Sequence, residues 1–307
     1  MSQSTPDPIL RDVLTWCSST LGPCEVVSDD QRFHGRTLVC RLRLPSGFGY
    51  LKIHRDRSFW ENEVHGHEQW APAFGDHTPR LLAVREEEPL ALVTGELEGQ
   101  LLQRVQLAPH QEEKTWFAAG HALSGLHRLP HGTFFGMCNR DGSPAKPTTG
   151  DAVAYVAAEF ERLLQEGADQ DCLTDRERAI VHRVQSLISS FEGEPATACH
   201  RDYGPDNWLV TQDGTWSGVI DYEFAQWDVR VADFSRYPNW EWIERPELVE
   251  ALFEGYGRAL TSREEEQCLV ARTRYALSAI TWGRQAAFFG FEAEGRQAIE
   301  HIGDLVG

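Results

Sequence analysis

The sequence predicts an α+β fold of two lobes, the first rich in strands and the second helical. Alternating apolar residues, the mark of half-buried strands, are concentrated in the first third of the chain. Helical spacing dominates from about residue 110 onward. Between the two stands Gly95-Glu96-Leu97-Glu98-Gly99, a connector flanked by glycines. The expected division is 1–97 and 98–307. A cleft between lobes is where small-molecule sites tend to lie.

Taken in order, residues 8–20 read as a short helix and 25–27 as a short strand. A loop at 28–37 follows, holding Arg32, His34 and Gly35. In 38–44, Leu38, Cys40, Leu42 and Leu44 alternate with other residues, as in a half-buried strand. Pro45-Ser46-Gly47 turns the chain into 48–53, where Leu51 and Ile53 share the core face. Period two then puts Lys52 on the opposite face. Ser58-Phe59-Trp60-Glu61 has the form of a capping box opening a helix that ends near Trp70. That reading occupies Glu61 and leaves Glu63 free to point elsewhere. Strands are expected at 80–84 and 90–94. Helices are expected at 110–129, 151–166, 175–191, 245–260, 262–288 and 293–305. The stretch 132–150 has no periodicity and reads as a surface excursion rather than a lid. His121 and His127 recur on one helix among Trp116, Leu123 and Leu126, and read as core histidines rather than metal ligands.

The one later sheet expected is a hairpin. Two apolar runs flank Asp213-Gly214, a strong hairpin signal. A two-residue turn there pairs Thr211 with Trp216, Leu209 with Gly218 and Asn207 with Ile220. Asn207 and Asp221 then sit side by side at one end of the hairpin, with Asp202 on the loop that enters it. An amide and a carboxylate on adjacent strand ends offer hard oxygen ligands to Mg²⁺. A loop aspartate can orient a hydroxyl and accept its proton. The constellation therefore points to Mg²⁺-dependent phosphoryl transfer.

Composition bounds the partners. The 307 residues are enough for two lobes, and 41% hydrophobic with 25% charged content is ordinary for a globular protein. With 29 basic and 47 acidic residues the formal charge is −18, which argues against nucleic acid or an anionic membrane as partner. The same acidity favours cationic ligands, or serves solubility alone. The seven cysteines are scattered with no C-x-x-C, which argues against a disulfide framework or zinc site and for a cytoplasmic protein. Neither a signal peptide nor a bilayer-length apolar run is read in the sequence.

His200-x-Asp202-x-x-x-x-Asn207, followed by the hairpin and Ile220-Asp221-Tyr222-Glu223, resembles the aminoglycoside phosphotransferase and choline kinase family, which has a bilobal protein-kinase-like fold. Asp233-Phe234-Ser235 and Leu123-Ser124-Gly125-Leu126-His127 resemble further motifs of that family. The resemblance runs from roughly residue 25 to 240. It implies that Asp202 is the catalytic carboxylate, and that Asn207 and Asp221 bind Mg²⁺. It implies that Lys52 contacts the α- and β-phosphates with Glu63 as its ion-pair partner, and that Glu96 and Leu97 offer backbone groups to the nucleobase of ATP or GTP. Glu63 is preferred to Glu61 because Trp70 stands seven residues later, where the family has an apolar or aromatic residue. The implied acceptor is a hydroxyl of a small molecule, an antibiotic first, with the phosphate inactivating it. Glu223, Asp228, Glu241 and Glu244 would suit a cationic sugar, and the aromatic run 237–242 could line its cleft. Asp233 is expected to hold the catalytic loop. Two features depart from the family. Arg201 stands where these kinases usually have Gly, and the 28–37 loop has one glycine. Arg201 leaves a protein kinase as an alternative, although no A-P-E segment follows. A metabolic acceptor such as choline, homoserine or a sugar, and a non-catalytic nucleotide-binding protein, are the other readings.

Overall fold

The protein is described here by a computed structural model covering residues 8–27, 32–34, 37–235 and 245–307. Its first part is a six-stranded antiparallel sheet in the order β1-β3-β4-β6-β5, with β2 also pairing β3. The strands are β1 (Glu25–Val26), β2 (Arg32–His34), β3 (Thr37–Leu44), β4 (Gly47–His54), β5 (Leu81–Arg85) and β6 (Ala91–Gly95). Leu38, Cys40, Leu42 and Leu44 of β3 are buried as their alternation predicts. With Leu51 and Ile53 they pack beneath Leu10, Val13 and Cys17 of helix α1 (Pro8–Leu21). Lys52 lies between Val39 and Leu92 on neighbouring strands. Because it alternates with Leu51 and Ile53, it faces away from α1.

Helix α2 (Arg57–His65) does not open with the expected capping box. Asp56 is its N-cap and accepts from the backbone N–H of Ser58 and Phe59. Its carboxylate also accepts from the Ser58 hydroxyl at 2.6 Å, so Ser58 is held by the cap rather than being it. Aspartate two residues earlier outcompetes serine because its charge also suits the positive end of the helix. Glu61 faces Arg57 at 4.0 Å instead. A π-helical turn, Gly66–Trp70, and a 3-10 turn, Ala71–Phe74, carry the chain onward from α2.

The second part holds helices α3 (Pro109–Leu126), α4 (Ala152–Asp169), α5 (Asp175–Gln185), α6 (Pro246–Tyr256), α7 (Ser262–Gln285) and α8 (Phe289–Leu305) around one large core. The helix expected at 175–191 stops at Gln185 and resumes as a 3-10 turn, Ile188–Phe191. The Ser186 hydroxyl bonds the Arg183 carbonyl at 2.7 Å, a local bond that competes with the helical ladder. The hairpin is not the one later sheet. Its strands β9 (Trp208–Val210) and β10 (Trp216–Val219) are joined by β7 (Gln100–Leu101), and β8 (Thr197–Cys199) pairs with β11 (Gln226–Asp228). Segments of two or three residues are too short to declare a period.

The stretch 132–150 is no surface excursion. Phe135 and Cys138 within it are fully buried. The Asn62 side chain of α2 accepts from the Cys138 N–H at 3.0 Å and donates to the carbonyls of Glu223 and Ala225. No helix among the described residues is long and apolar enough to cross a membrane.

Helices α3 and α6 cross on a pair of glycines. A Cβ on Gly120 would lie 1.9 Å from the Leu252 carbonyl oxygen, and one on Gly255 would lie 1.9 Å from that of Phe117. Backbone is the obstacle on both sides, so neither helix can yield by a rotamer change. Gly120→Ala should push α3 off α6 and cost about 1–3 kcal/mol, the usual range for overpacking, read as a lower midpoint in urea unfolding.

Candidate functional site

The far end of the hairpin sets the geometry of the cleft. Leu209 faces Gly218 and Trp208 faces Val219, as the expected register requires, and the Ile220 N–H donates to the Asn207 carbonyl at 3.0 Å. The turn end differs. Trp216 faces Val210 rather than Thr211, because the loop has one residue more than expected and closes on Gly214 at φ 82°. The register then shifts between Trp216 and Gly218, which restores the pairing at the far end. Two errors of one residue cancel, so Asn207 and Asp221 still meet.

Asn207 is fixed to the loop that precedes it. Its amide nitrogen donates to the Asp202 carboxylate at 2.8 Å and to the Asp202 carbonyl at 2.9 Å. The backbone of that loop hangs on Asp233. One carboxylate accepts the N–H groups of both His200 and Arg201, and pairs with His127 Nε2 at 2.9 Å. The Tyr256 hydroxyl meets His127 Nδ1 at 2.8 Å. His127 is thus a satisfied core histidine, whereas His121 is exposed. The His200 ring is fully buried and lies against the rings of Tyr203 and Tyr222. Burial holds its pKa below the ordinary value.

Lys52 is drawn to three carboxylates. Its Nζ lies 2.9 Å from Glu63, 2.8 Å from Asp221 and 2.9 Å from Glu223. Burial opposes its charge, but Asp221, Glu63 and Glu223 outweigh it and raise the Lys52 pKa well above the usual range. Burial would raise the Glu63 carboxyl, yet Lys52 and His54, the latter 2.8 Å away, pull its pKa down overall. Glu63, Asp221 and Glu223 bring carboxylate oxygens within 4.8 Å of one another. Three acids around one lysine leave excess negative charge, and their hard oxygens fit a divalent cation such as Mg²⁺. The nitrogen side of the Asn207 amide is engaged by Asp202, so the oxygen side is the one available to such an ion.

Lys52, Glu63, Leu97, Asn207 and Asp221 line one cleft of about 400 Å³. Glu96 does not. Its N–H is bonded to the Phe48 carbonyl and its carboxylate is paired with Arg41, so the connector faces the cleft through Thr94, Gly95 and Leu97 instead. Sequence reasoning missed the apolar walls of the cleft, Val39 and Leu92 on one side and Leu101, Leu209 and Ile220 on the other. Period two could have found Val39, which directly faces Lys52. It also missed Asn62, which no local pattern marks. The 28–37 loop in large part, the aromatic run 237–242, Glu241 and Glu244 lie outside the described residues.

Arg201, the departure at the catalytic loop, reaches Asp228 at 2.9 Å. Asp228 is fully buried and also accepts from Arg274 of α7 at 2.8 Å, from Gln226 at 3.0 Å and from the Tyr155 hydroxyl at 3.2 Å. Burial alone would raise its pKa, but Arg274 and Arg201 bring it below the usual carboxylate range. Asp228 and Glu223 are therefore engaged by cations of the chain itself.

A phosphotransferase is the class that comparison with known proteins returns. The profile of the phosphotransferase enzyme family (APH) matches residues 49–267, and the chain belongs to that family. The fold is that of aminoglycoside phosphotransferases. A thermostable mutant of APH(4)-Ia, in ternary complex with AMP-PNP and hygromycin B, superposes with a TM-score of 0.71 at 14% identity, covering 95% of this chain and 98% of its own. APH(2")-IIIa in complex with GDP and kanamycin gives 0.67 at 14% identity, again covering 95% and 98%. No curated protein matches the chain in sequence.

Two outcomes follow from these contacts. Asp228→Ala leaves the buried Arg274 without its counter-charge and should destabilise the fold by about 3–5 kcal/mol in urea unfolding. Arg201→Ala, which leaves Asp228 paired with Arg274, should cost clearly less. His67 lines the cleft against the Tyr222 ring, and burial lowers its pKa from 6.5 to about 4. Below pH 6.5 the unfolded chain takes up a proton there that the folded chain refuses, so stability falls as pH drops from 6.5 toward 4. His67→Leu should remove about 2 kcal/mol of that loss, seen by comparing urea midpoints at pH 7 and pH 4.5.

Proposed function

We propose that the protein transfers the γ-phosphoryl group of ATP or GTP to a hydroxyl of a small molecule, with an antibiotic as acceptor and inactivation as the outcome. The observation that carries the reading is the convergence of Lys52, Asn207 and Asp221, from three separate stretches of chain, at one cleft, with Asp202 bonded to Asn207 beside it. The opposed apolar walls of Val39 and Leu209 suit a flat nucleobase, with Thr94, Gly95 and Leu97 at its edge. The cleft volume of about 400 Å³ is in the range of small-ligand pockets.

In the proposed reaction, Lys52 neutralises phosphate charge and Glu63 keeps its ammonium in place. Asn207 and Asp221, with Glu223 beside them, would hold Mg²⁺, which when bound would offset the negative charge of the phosphates. Asp202 accepts a hydrogen bond from the acceptor hydroxyl and takes its proton as the new P–O bond forms. The bond from the γ-phosphorus to the bridging oxygen breaks, and the nucleoside diphosphate leaves. Catalysis of this kind rests on positioning and electrostatics rather than on covalent chemistry by the protein.

The aminoglycoside complexes of the structural neighbours favour an antibiotic acceptor. A metabolic acceptor with fewer positive charges is the second reading. It is favoured by the engagement of Glu223 with Lys52, and of Asp228 with Arg201 and Arg274, which removes two of the carboxylates that would attract a polycation. A screen of ATP and GTP against antibiotics and metabolites, read as an 80 Da mass gain on the acceptor (roughly the mass of the transferred phosphoryl group in phosphoryl-transfer chemistry), decides between them. Asp202→Asn should lower turnover about 10²- to 10⁴-fold with nucleotide affinity nearly unchanged. Parent-like turnover in that variant would remove Asp202 from the chemistry.

A further inference from the structure

The larger of the two described cavities, about 840 Å³, lies away from the cleft and is lined by none of its residues. It runs along α3, the 3-10 turn Ala71–Phe74 and the turn of the hairpin. Its floor is apolar and small: Ala73, Ala118, Ala122 and Gly125, closed by Phe74 and Trp216. Phe74 is itself held between Tyr203 and Tyr222, at ring distances of 6.1 and 6.2 Å, so the floor is set by the core and preformed.

The rim is cationic. His110, Lys114, Phe117 and His121 recur along α3 at the spacing of one helical face, and Arg128 follows just past its end. His77 stands across the groove, tilted on the Trp216 ring at 5.1 Å, and its Nδ1 meets the Ser217 carbonyl at 2.9 Å. Among the lining residues Asp213 is the one carboxylate, and it accepts from the Thr211 hydroxyl and the Thr215 N–H of its own turn. Two fixed cations and three imidazoles therefore frame an apolar trough in a chain of formal charge −18. Phe117, at the centre of the stripe, is 43% exposed, an apolar ring held in solvent between Lys114 and His121.

The geometry points to a second binding site, separate from the nucleotide cleft, for an amphiphilic organic anion. Its planar or aliphatic body lies on the alanine floor against Phe74, Phe117 and Trp216, and its carboxylate, sulfonate or phosphate meets Lys114 and Arg128. Volume, a preformed apolar floor and a few convergent polar groups are the ordinary attributes of a small-molecule site. Charge selects the anion over a neutral or cationic molecule of the same shape.

The test is calorimetric titration of the full chain with naphthalene-2-sulfonate, 2-naphthol and 2-naphthylmethylammonium, one apolar body with three head charges. The sulfonate should bind at least about tenfold more tightly than the ammonium, as charge complementarity requires. Lys114→Glu with Arg128→Glu, both at exposed positions, should weaken the sulfonate by at least about tenfold. Ala122→Trp, which fills the trough, should abolish it with the unfolding midpoint unchanged. Saturating ATP should not displace the sulfonate, and Phe289→Ser, at an exposed ring outside the groove, should leave its binding intact. Equal binding of the three probes, survival of sulfonate binding in both groove variants, loss in Phe289→Ser or displacement by ATP would each overturn the site. So would the absence of saturable sulfonate binding, which would leave the groove to an acidic partner helix.

Discussion

The contact on which the described architecture turns is the clamp on Lys52. Its lysine comes from the first sheet, Glu63 from the helix that follows, and Asp221 and Glu223 from the chain leaving the hairpin in the second part. One side chain thus reaches Asp221, 169 residues further along the chain, and Glu223 beyond it. Three carboxylates around one ammonium are not an economical ion pair. One ammonium does not neutralise three acids, and the acids repel one another. An arrangement that is poor as a staple is good as a socket for more positive charge, which is the property phosphoryl transfer with a divalent cation calls for.

Around that socket the backbone is held out of its preferred regions. Arg201 and Asp221 both have positive φ, 66° and 70°, without being glycine. Such conformations cost of order 1 kcal/mol or more each and persist where surrounding bonds over-determine them. For Arg201 the restraint is Asp233, which accepts the N–H of that residue and of the one before it. For Asp221 it is the lysine on its side chain and the bond that joins Ile220 to Asn207 immediately before it. His127 and Tyr256 extend the same support into the helical core, and Tyr203, next to Asp202, donates its hydroxyl to the Ala119 carbonyl of α3.

Much of this was legible in the sequence because it obeys short-range rules. Alternation fixed the faces of β3 and β4, and with them the direction of Lys52. The hairpin placed Asn207 beside Asp221 even though its turn was read one residue too short, since the bulge before Gly218 absorbed the extra residue. What escaped was set by competition or by long-range contact. Asp56 displaced Ser58 as cap, a contest between two plausible neighbours that spacing alone does not decide. The N–H of Glu96, just past β6, went to Phe48 on β4. The stretch 132–150 lacks periodicity because it takes its shape from Asn62, β11 and Ala196 rather than from its own residues. Two- and three-residue strands carry no pattern at all.

Arg201 belongs to the same argument. Read along the chain, it is a departure from the glycine usual among small-molecule kinases. In space it is one of two guanidinium groups that share the buried Asp228, the other being Arg274 on α7. A lone buried carboxylate facing a lone arginine would be satisfied without it, so the second arginine adds reach rather than neutrality. It couples the loop bearing Asp202 to the helix that carries Arg274, and through Tyr155 to α4. A glycine at 201 would adopt the positive φ at no steric cost but could not make that connection. The position thus exchanges backbone ease for a tether, and the charge it brings near Asp202 is positive. On the proposed reading, an acceptor bound beside that tether meets a guanidinium as well as carboxylates.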